Sequence, residues 1–383
     1  MKKNQKIRLF APYLGKEELN EINDSFKKAW IGLGAKVKQF EDSWCKYLGC
    51  KASLGVNSAT AALHLSVSAF GFKQGKKILV PNITFASTAF APIYNGLEPV
   101  FVDVDATTIT ISIEDMEKKY TPDCVAVIPV HFGGQPANME KLLEFAKAKN
   151  IKIIEDCAHT VGAKYKGRKL GLWGDLGCFS FEEKKAMTTG DGGMISSNDK
   201  ELIELLRPRR WVGIDKDTWK RESSLKLKDI NNAYHWYYEI TDLGFKYNMN
   251  DLCAAIGLAQ LKKIDWMNNK RSELIETYLN EMKILKVIKP LLPYEPYKYN
   301  YWIFGIRTPK REKLITYLKS NGIATGVHYM PLTLHPYFRQ WYSHNPVSES
   351  IWKEFITLPL YVRLKKKEVR YIVSLLKNFE VNL

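Results

Sequence analysis

The chain has 383 residues, 45% apolar and 26% charged, a balance that excludes a disordered protein and a length that exceeds what one hydrophobic core accommodates. The formal charge of +16 comes from lysines and arginines spread among acids along the whole chain, which argues for a solvated basic surface and against nucleic acid as a partner. No uninterrupted run of about 18 apolar residues suggests a membrane span and Met1 to Gly15 lacks a signal-peptide core, so a cytoplasmic location with no membrane partner is expected.

In chain order, Lys16 to Trp30 reads as a helix, and Val37, Phe40, Trp44 and Leu48 recur at the spacing of a second helix with one apolar stripe. The segment Val56 to Leu63 places small polar residues ahead of an apolar helix running to about Phe70. Ser58 or Thr60 caps such a helix, and the same start offers unpaired N–H groups that hold a phosphate; taken alone, the motif favours plain capping. Strands over Lys77–Val80, Val100–Val104, Cys124–Val130 and Ile151–Glu155 then alternate with helices over Ala86–Tyr94 and Met139–Lys147. That alternation predicts a mostly parallel sheet covered on both faces, with ligands beyond the carboxyl ends of the strands.

Asp156 falls at that edge, with His159 three residues on. A carboxylate there either caps the following turn or pairs with a protonated ring nitrogen. Further along, a strand over Leu176–Phe181 runs into Ser180-Phe-Glu-Glu-Lys-Lys-Ala-Met-Thr-Thr-Gly-Asp-Gly-Gly193, two lysines followed by a turn rich in glycine. Read alone, this is a solvated Lys-Lys turn; in a site, burial lowers an ammonium pKa and prepares a lysine to react with a carbonyl. Asp251 to Lys283 reads as one long helix that changes its apolar face as it goes and links two domains. Beyond it a strand over Tyr301–Arg307 and helices over Lys310–Ser320 and Lys366–Phe379 form a smaller α/β unit. Six cysteines show no Cys-x-x-Cys pair and no cluster with histidine, so neither a disulfide framework nor a metal site is expected.

Several of these separated motifs together resemble the DegT-type sugar-nucleotide aminotransferases, pyridoxal 5'-phosphate (PLP) enzymes of fold type I. The resemblance runs from Gly15-Lys16-Glu17-Glu18 to Leu358-Pro359-Leu360-Tyr361 and rests on the order and spacing of Asn57–His64, Thr84-Phe85, Pro99–Asp105, Ile154–His159, Ser180–Gly193 and Gly244–Met249. It implies an α/β fold: a large PLP-binding domain over residues 1–245 with a mostly parallel mixed sheet flanked by helices, and a smaller domain over 246–383 beginning with the linking helix.

The same resemblance implies the site. Lys185, five residues after Ser180 and five before Gly190, is the lysine that binds PLP and moves the proton, and Asp156 pairs with the pyridine nitrogen. Ser58, Ala59, Thr60, Ala61 and Ser180 hold the phosphate, Phe85 stacks on the ring, and His159 hydrogen-bonds the ring hydroxyl. Asn248 reaches the phosphate of a partner subunit, which implies a homodimer with shared active sites. His328 and Tyr329 lie on the substrate side. The implied reaction moves an amino group from glutamate, by way of pyridoxamine phosphate, to a nucleotide-linked ketosugar, at C-4 of a 4-keto-6-deoxyhexose. Amination at C-3 and a PLP-binding regulatory protein without turnover are the alternatives. Related dehydratases carry histidine in place of the lysine, which Lys185 argues against. The chain departs from the family's pattern at Asp191, Val212 and Thr333, where glutamate, histidine and histidine are frequent.

Overall fold

The structure, a computed structural model, describes residues 6–215 and 237–382. Two helices, α1 (Lys16–Lys27) and α2 (Ala35–Leu48), precede a seven-stranded sheet built from β1 (Ala52–Val56), β2 (Lys77–Pro81), β3 (Glu98–Val102), β4 (Cys124–Val127), β5 (Lys152–Asp156) and two strands that follow a short hairpin. The hairpin is β6 (Lys164–Tyr165) with β7 (Arg168–Lys169), and the two strands are β8 (Leu176–Ser180) and β9 (Gly193–Ser197). The spatial order is β1-β9-β8-β5-β4-β2-β3. Pairing is parallel from β3 through β8 and antiparallel on both sides of β9. The mostly parallel mixed sheet expected from the sequence is thus present, while β1 and β9, built largely of small residues, escape the apolar-run signal.

Side-chain alternation along the strands supplies two cores. Leu79, Val127, Ile153, Phe179 and Met194 face one way and pack with Val37, Phe40 and Trp44 of α2, the stripe read from the sequence. Leu142 and Phe145 of α6 (Met139–Lys149) join them. Ile78, Ala126, Ile154, Cys178 and Ile195 face the other way, against the helices α3 (Ala59–Ser68), α4 (Ser87–Tyr94) and α7 (Lys200–Arg209). A short α5 (Ile113–Lys119) leads into β4.

Past the sheet, the expected single helix is two: α8 (Asp251–Leu261) and α9 (Ile264–Met282), broken at Lys262–Lys263. The break follows from two different packing partners. The first half lies on α1 and α2, where Gly257 lets the Phe40 ring come so near that an added Cβ would sit 2.7 Å from it. The second half sends Leu274, Ile275 and Tyr278 into a third core. That core covers an antiparallel sheet of β10 (Lys289–Pro290), β11 (Phe304–Arg307) and β12 (Phe355–Leu358), flanked by α10 (Arg311–Ser320), α11 (Pro346–Glu354) and α12 (Lys366–Val381). Ile7 bridges to Ile323 and is buried in the same core, so the chain's beginning joins its C-terminal unit. Among the described residues no helix is long and apolar enough to cross a membrane.

Candidate active site

Asp156 is the last residue of β5, and β8 lies beside it with Cys178 in register, so Asp156 and the loop leaving Ser180 share one carboxyl edge of the sheet. The loop returns through Gly193, paired with Ser180. Both ends of the stretch that carries the two lysines are therefore fixed to adjacent strands. Gly193 has a steric reason to be glycine: a Cβ there would lie 2.6 Å from the Ser58 carbonyl and 2.8 Å from the Ala59 nitrogen. The antiparallel strand thus lies directly under the start of α3.

A cavity of about 360 Å³ opens at this edge, lined among others by Asp156, Lys185, Ser58, Phe85, His159 and Tyr329. Asp156 is buried, and its carboxylate accepts the Thr88 hydroxyl at 2.8 Å and the Ala158 N–H at 3.0 Å. Thr88 in turn accepts from Thr84, so a short hydroxyl relay fixes the acid from α4. Burial raises the Asp156 pKa, against the lowering by those two hydrogen bonds and by Lys185.

The two lysines part company. Lys184 turns its side chain to solvent, 60% exposed, and its carbonyl accepts the Trp302 indole N–H at 2.7 Å. Lys185 turns inward, with Nζ 3.9 Å from the centroid of the Trp302 ring. Burial pulls the Lys185 ammonium down to about 8, with Lys184 acting in the same direction and Asp156 and Glu182 opposing. A solvated Lys-Lys turn describes only the first of the pair.

At the opposite wall, Ser58 caps α3, its hydroxyl accepting the Ala61 N–H at 3.1 Å. The capping reading and the phosphate reading are both available here, because the cap uses the Ser58 hydroxyl as an acceptor and leaves the first N–H groups of the helix open. Ala59 and Thr60 line the cavity, and in a first helical turn their N–H groups have no intrahelical acceptor. Ala61 does not reach the cavity, and its N–H is engaged by the cap. Thr60 is joined at 2.6 Å to Ser87, a cavity residue not anticipated from the sequence. Ser180 and Phe85 line the cavity with them, and Phe85 remains 58% exposed.

His159 is buried and stacked on Trp302, centroids 4.3 Å apart. The Gly133 N–H donates to its Nδ1 at 3.2 Å, and its Nε2 meets the Tyr329 hydroxyl at 3.2 Å. Burial, with Lys185 nearby, holds the imidazole neutral. A neutral ring that accepts at Nδ1 carries its proton on Nε2, so it donates to Tyr329 and leaves the tyrosine proton free to point at a ligand. His328 lines the same wall, with Nδ1 2.8 Å from the Thr357 hydroxyl and a pKa lowered to about 4 by burial and the two lysines. Trp302 connects these groups. Its position at the start of an expected strand offers no sequence signal for a site.

Asn248 stands apart from the cavity. It bridges to Val56, accepts from Lys246 Nζ at 3.0 Å and donates to the Met249 carbonyl at 3.2 Å. Glu155, next to Asp156, serves the scaffold. Its carboxylate accepts the N–H groups of Gly171, Trp173 and Gly174 and pairs with buried His131 at 3.0 Å.

Over residues 12–377 the chain matches the model of the DegT/DnrJ/EryC1/StrS aminotransferase family. The chain belongs to that family. It is 31% identical to GDP-perosamine synthase of Escherichia coli O157:H7, covering 97% of this chain and 98% of that protein. Its fold superposes on Helicobacter pylori PseC, an aminotransferase involved in the biosynthesis of pseudoaminic acid, with a TM-score of 0.90 at 25% identity over 99% of this chain and all of that one. The PLP form of the putative sugar aminotransferase Spr1654 from Streptococcus pneumoniae gives 0.89 at 25% identity over 99% of each chain. This chain is accordingly an aminotransferase, and the resemblance read from separated motifs holds over nearly its whole length.

Within this aminotransferase the departures from the family's pattern occupy different settings. Asp191 lines the cavity. Thr333 is buried and exchanges two hydrogen bonds with Asn82, both at 3.0 Å, so it anchors its loop to the end of β2. Val212 sits half-exposed in a tight turn at φ 45°.

Proposed function

We propose that this aminotransferase is PLP-dependent and transfers an amino group from glutamate to a nucleotide-linked ketosugar. The observation that carries the reading is one cavity holding a depressed lysine, a buried carboxylate and a free helix N-terminus. These groups fit PLP: Lys185 for the carbonyl, Asp156 for the ring nitrogen, and the N–H groups of Ala59 and Thr60 with Ser58 and Ser180 for the phosphate. Bound there, the cofactor supplies an electron sink for the carbanion at the reacting carbon. Lys185, neutral for an appreciable fraction of the time near pH 8, is suited to take a proton and return it. Asp156 stabilises positive charge on the ring nitrogen, Phe85 covers the ring, and the free Tyr329 proton orients a ligand oxygen beside neutral His328. The proposed division of labour gives cofactor binding within the subunit to residues 1–245, and a cover, together with Asn248 for the partner's site, to residues 246–383. Glutamate and nucleotide-linked sugars are cytoplasmic pools, which is where we place the reaction.

For the position of amination we favour C-4 of a 4-keto-6-deoxyhexose, supported by the spellings Asn57–Thr60, Glu155–His159 and Lys246–Asn248 and by the likeness to GDP-perosamine synthase. Incubation with glutamate and either 4-keto or 3-keto nucleotide sugars, with the new carbon–nitrogen bond located by NMR, tests it. Amination of the 4-keto compound is expected. Amination of the 3-keto compound alone would move the reaction to C-3, and amination of neither, with cofactor bound, would place the amino acceptor outside these two classes of ketosugar.

Asn248 does not line the cavity described above, and its place beside the end of β1 suits a contact with a second subunit. The proposed homodimer makes a specific demand. Lys185→Ala and Asn248→Ala proteins, each impaired, are expected to recover activity when mixed under subunit exchange, because one site per mixed dimer is then intact. Absence of recovery while mixed dimers form would remove Asn248 from the partner's site.

A further inference from the structure

Cys45 and Cys50 have a spacing that carries no motif, yet the fold brings them into contact. Cys45 lies in the last turn of α2, and Cys50 stands just ahead of β1. Between them Gly49 takes a left-handed conformation at φ 88°, which reverses the chain and lets the Gly49 and Cys50 N–H groups both donate to the Cys45 carbonyl, at 2.8 and 3.2 Å. The two sulfurs come to lie 3.2 Å apart. Both flanks are fixed to the sheet. Trp44 is fully buried with its indole N–H donating to Ser196 Oγ at 2.9 Å, and the Lys51 N–H donates to the Ser197 carbonyl at 3.2 Å. The juxtaposition is thus imposed by backbone held on both sides.

These two thiols differ from the other four. Both are partly exposed, whereas Cys124, Cys157 and Cys178 are buried, and among the described residues no other two cysteine sulfurs share a hydrogen bond. Burial pushes the thiols of Cys157, Cys178 and Cys253 up. Cys45 goes the other way. The Cys50 S–H donates to its sulfur and, with a smaller contribution from Ser53, holds the Cys45 thiol down to about 7, against burial and the charges of Asp42 and Glu41. The same contact pushes the Cys50 thiol up. One sulfur is therefore ready to attack and the other waits beside it, since the thiolate is the reacting form. Once Cys45 is bonded to another sulfur its negative charge is gone, and with it the main cause that holds the proton on Cys50.

We propose that Cys45 and Cys50 form a reversible oxidation site that reacts with small-molecule disulfides such as oxidised glutathione. Cys45 attacks one sulfur of the oxidant, giving a mixed disulfide and releasing one thiol. Cys50 then loses its proton and attacks the Cys45 sulfur, so that the Cys45–Cys50 bond forms and the second thiol leaves. The two protein thiols lose two electrons, the small disulfide is reduced to two thiols, and both protein protons end on those thiols. In the cytoplasmic setting proposed above the pair rests reduced and closes when oxidant rises.

The test exposes the PLP-loaded enzyme, freed of reductant, to oxidised glutathione, alkylates the remaining thiols in denaturant and reads the peptides by mass spectrometry. In wild type a Cys45–Cys50 disulfide is expected, with the other four of the six cysteines alkylated and all six alkylated after dithiothreitol. Cys50→Ser is expected to stop with glutathione on Cys45, and Cys45→Ser to react at Cys50 at least about tenfold more slowly than wild type reacts at Cys45. Cys50→Ala replaces Cys50→Ser should that protein not fold, and the wild-type peptides need no variant. No reaction at Cys45, glutathione that stays on Cys45 in wild type, or oxidation that falls equally on Cys253 would overturn the proposal.

Discussion

Lys185→Ala is expected to abolish amino transfer, by on the order of 10³-fold or more, because one side chain both binds the cofactor and carries the proton. The geometry makes this specific to one of two neighbours. Lys185 lies under Trp302 with its pKa drawn down to about 8, whereas Lys184 is in solvent and contributes its carbonyl to the Trp302 indole. Lys184→Ala, which keeps that carbonyl, is expected to retain substantial turnover. Steady-state rates with glutamate and a ketosugar measure both, and mass spectrometry of the protein after borohydride treatment with cofactor locates the modified lysine. Modification at Lys184, or a Lys185→Ala protein within tenfold of wild type, would shift the site by one residue.

Asp156→Asn is expected to lower kcat by about 10²- to 10³-fold, the scale on which a preorganised charge partner acts in a buried site. Asparagine can keep the Ala158 N–H on its amide oxygen and donate its NH2 to the Thr88 hydroxyl, which then turns to donate to Thr84, so the shape is preserved and the negative charge is what is lost. The charge has a second effect, with a definite sign. Asp156 raises the Lys185 pKa while burial lowers it, so removing the carboxylate leaves burial less opposed. In the wild-type apoprotein, capture of PLP is expected to rise as pH passes through about 8, where Lys185 loses its proton; in Asp156→Asn the rise is expected at lower pH. Absorbance stopped-flow of cofactor binding across pH reads this directly. A loss of activity with an unmoved pH profile would mark Asp156 as scaffold and not as charge partner.

Local stretches of chain carry much of this site. Ser58 caps α3 because a short hydroxyl precedes an apolar helix, and Asp156 ends β5 because an apolar run gives way to an acid. Both facts involve neighbouring residues and need no knowledge of what lies across the molecule. The stripe Val37, Phe40, Trp44 and Leu48 is buried for the same reason, since helical periodicity selects a face before any partner is present. The choice of Lys185 over Lys184 comes from a resemblance in spacing, and its inward turn beneath Trp302 is a property of the folded chain.

Other features depend on groups far apart in the chain. Sequence by itself determined the alternating α/β plan, the apolar faces, the start of α3, and an acid and a lysine at the carboxyl edge of one sheet, because propensity, periodicity and spacing act within a few residues. Tertiary structure alone decided that β9 runs antiparallel with glycine beneath Ser58, that the long helix breaks at Lys262–Lys263 to serve two cores, and that Trp302 joins His159 to Lys185. It also decided that Thr333 faces Asn82. Each of these is a contact between segments that only packing brings together, so its energy, and with it the conformation it selects, exists only once the chain has folded.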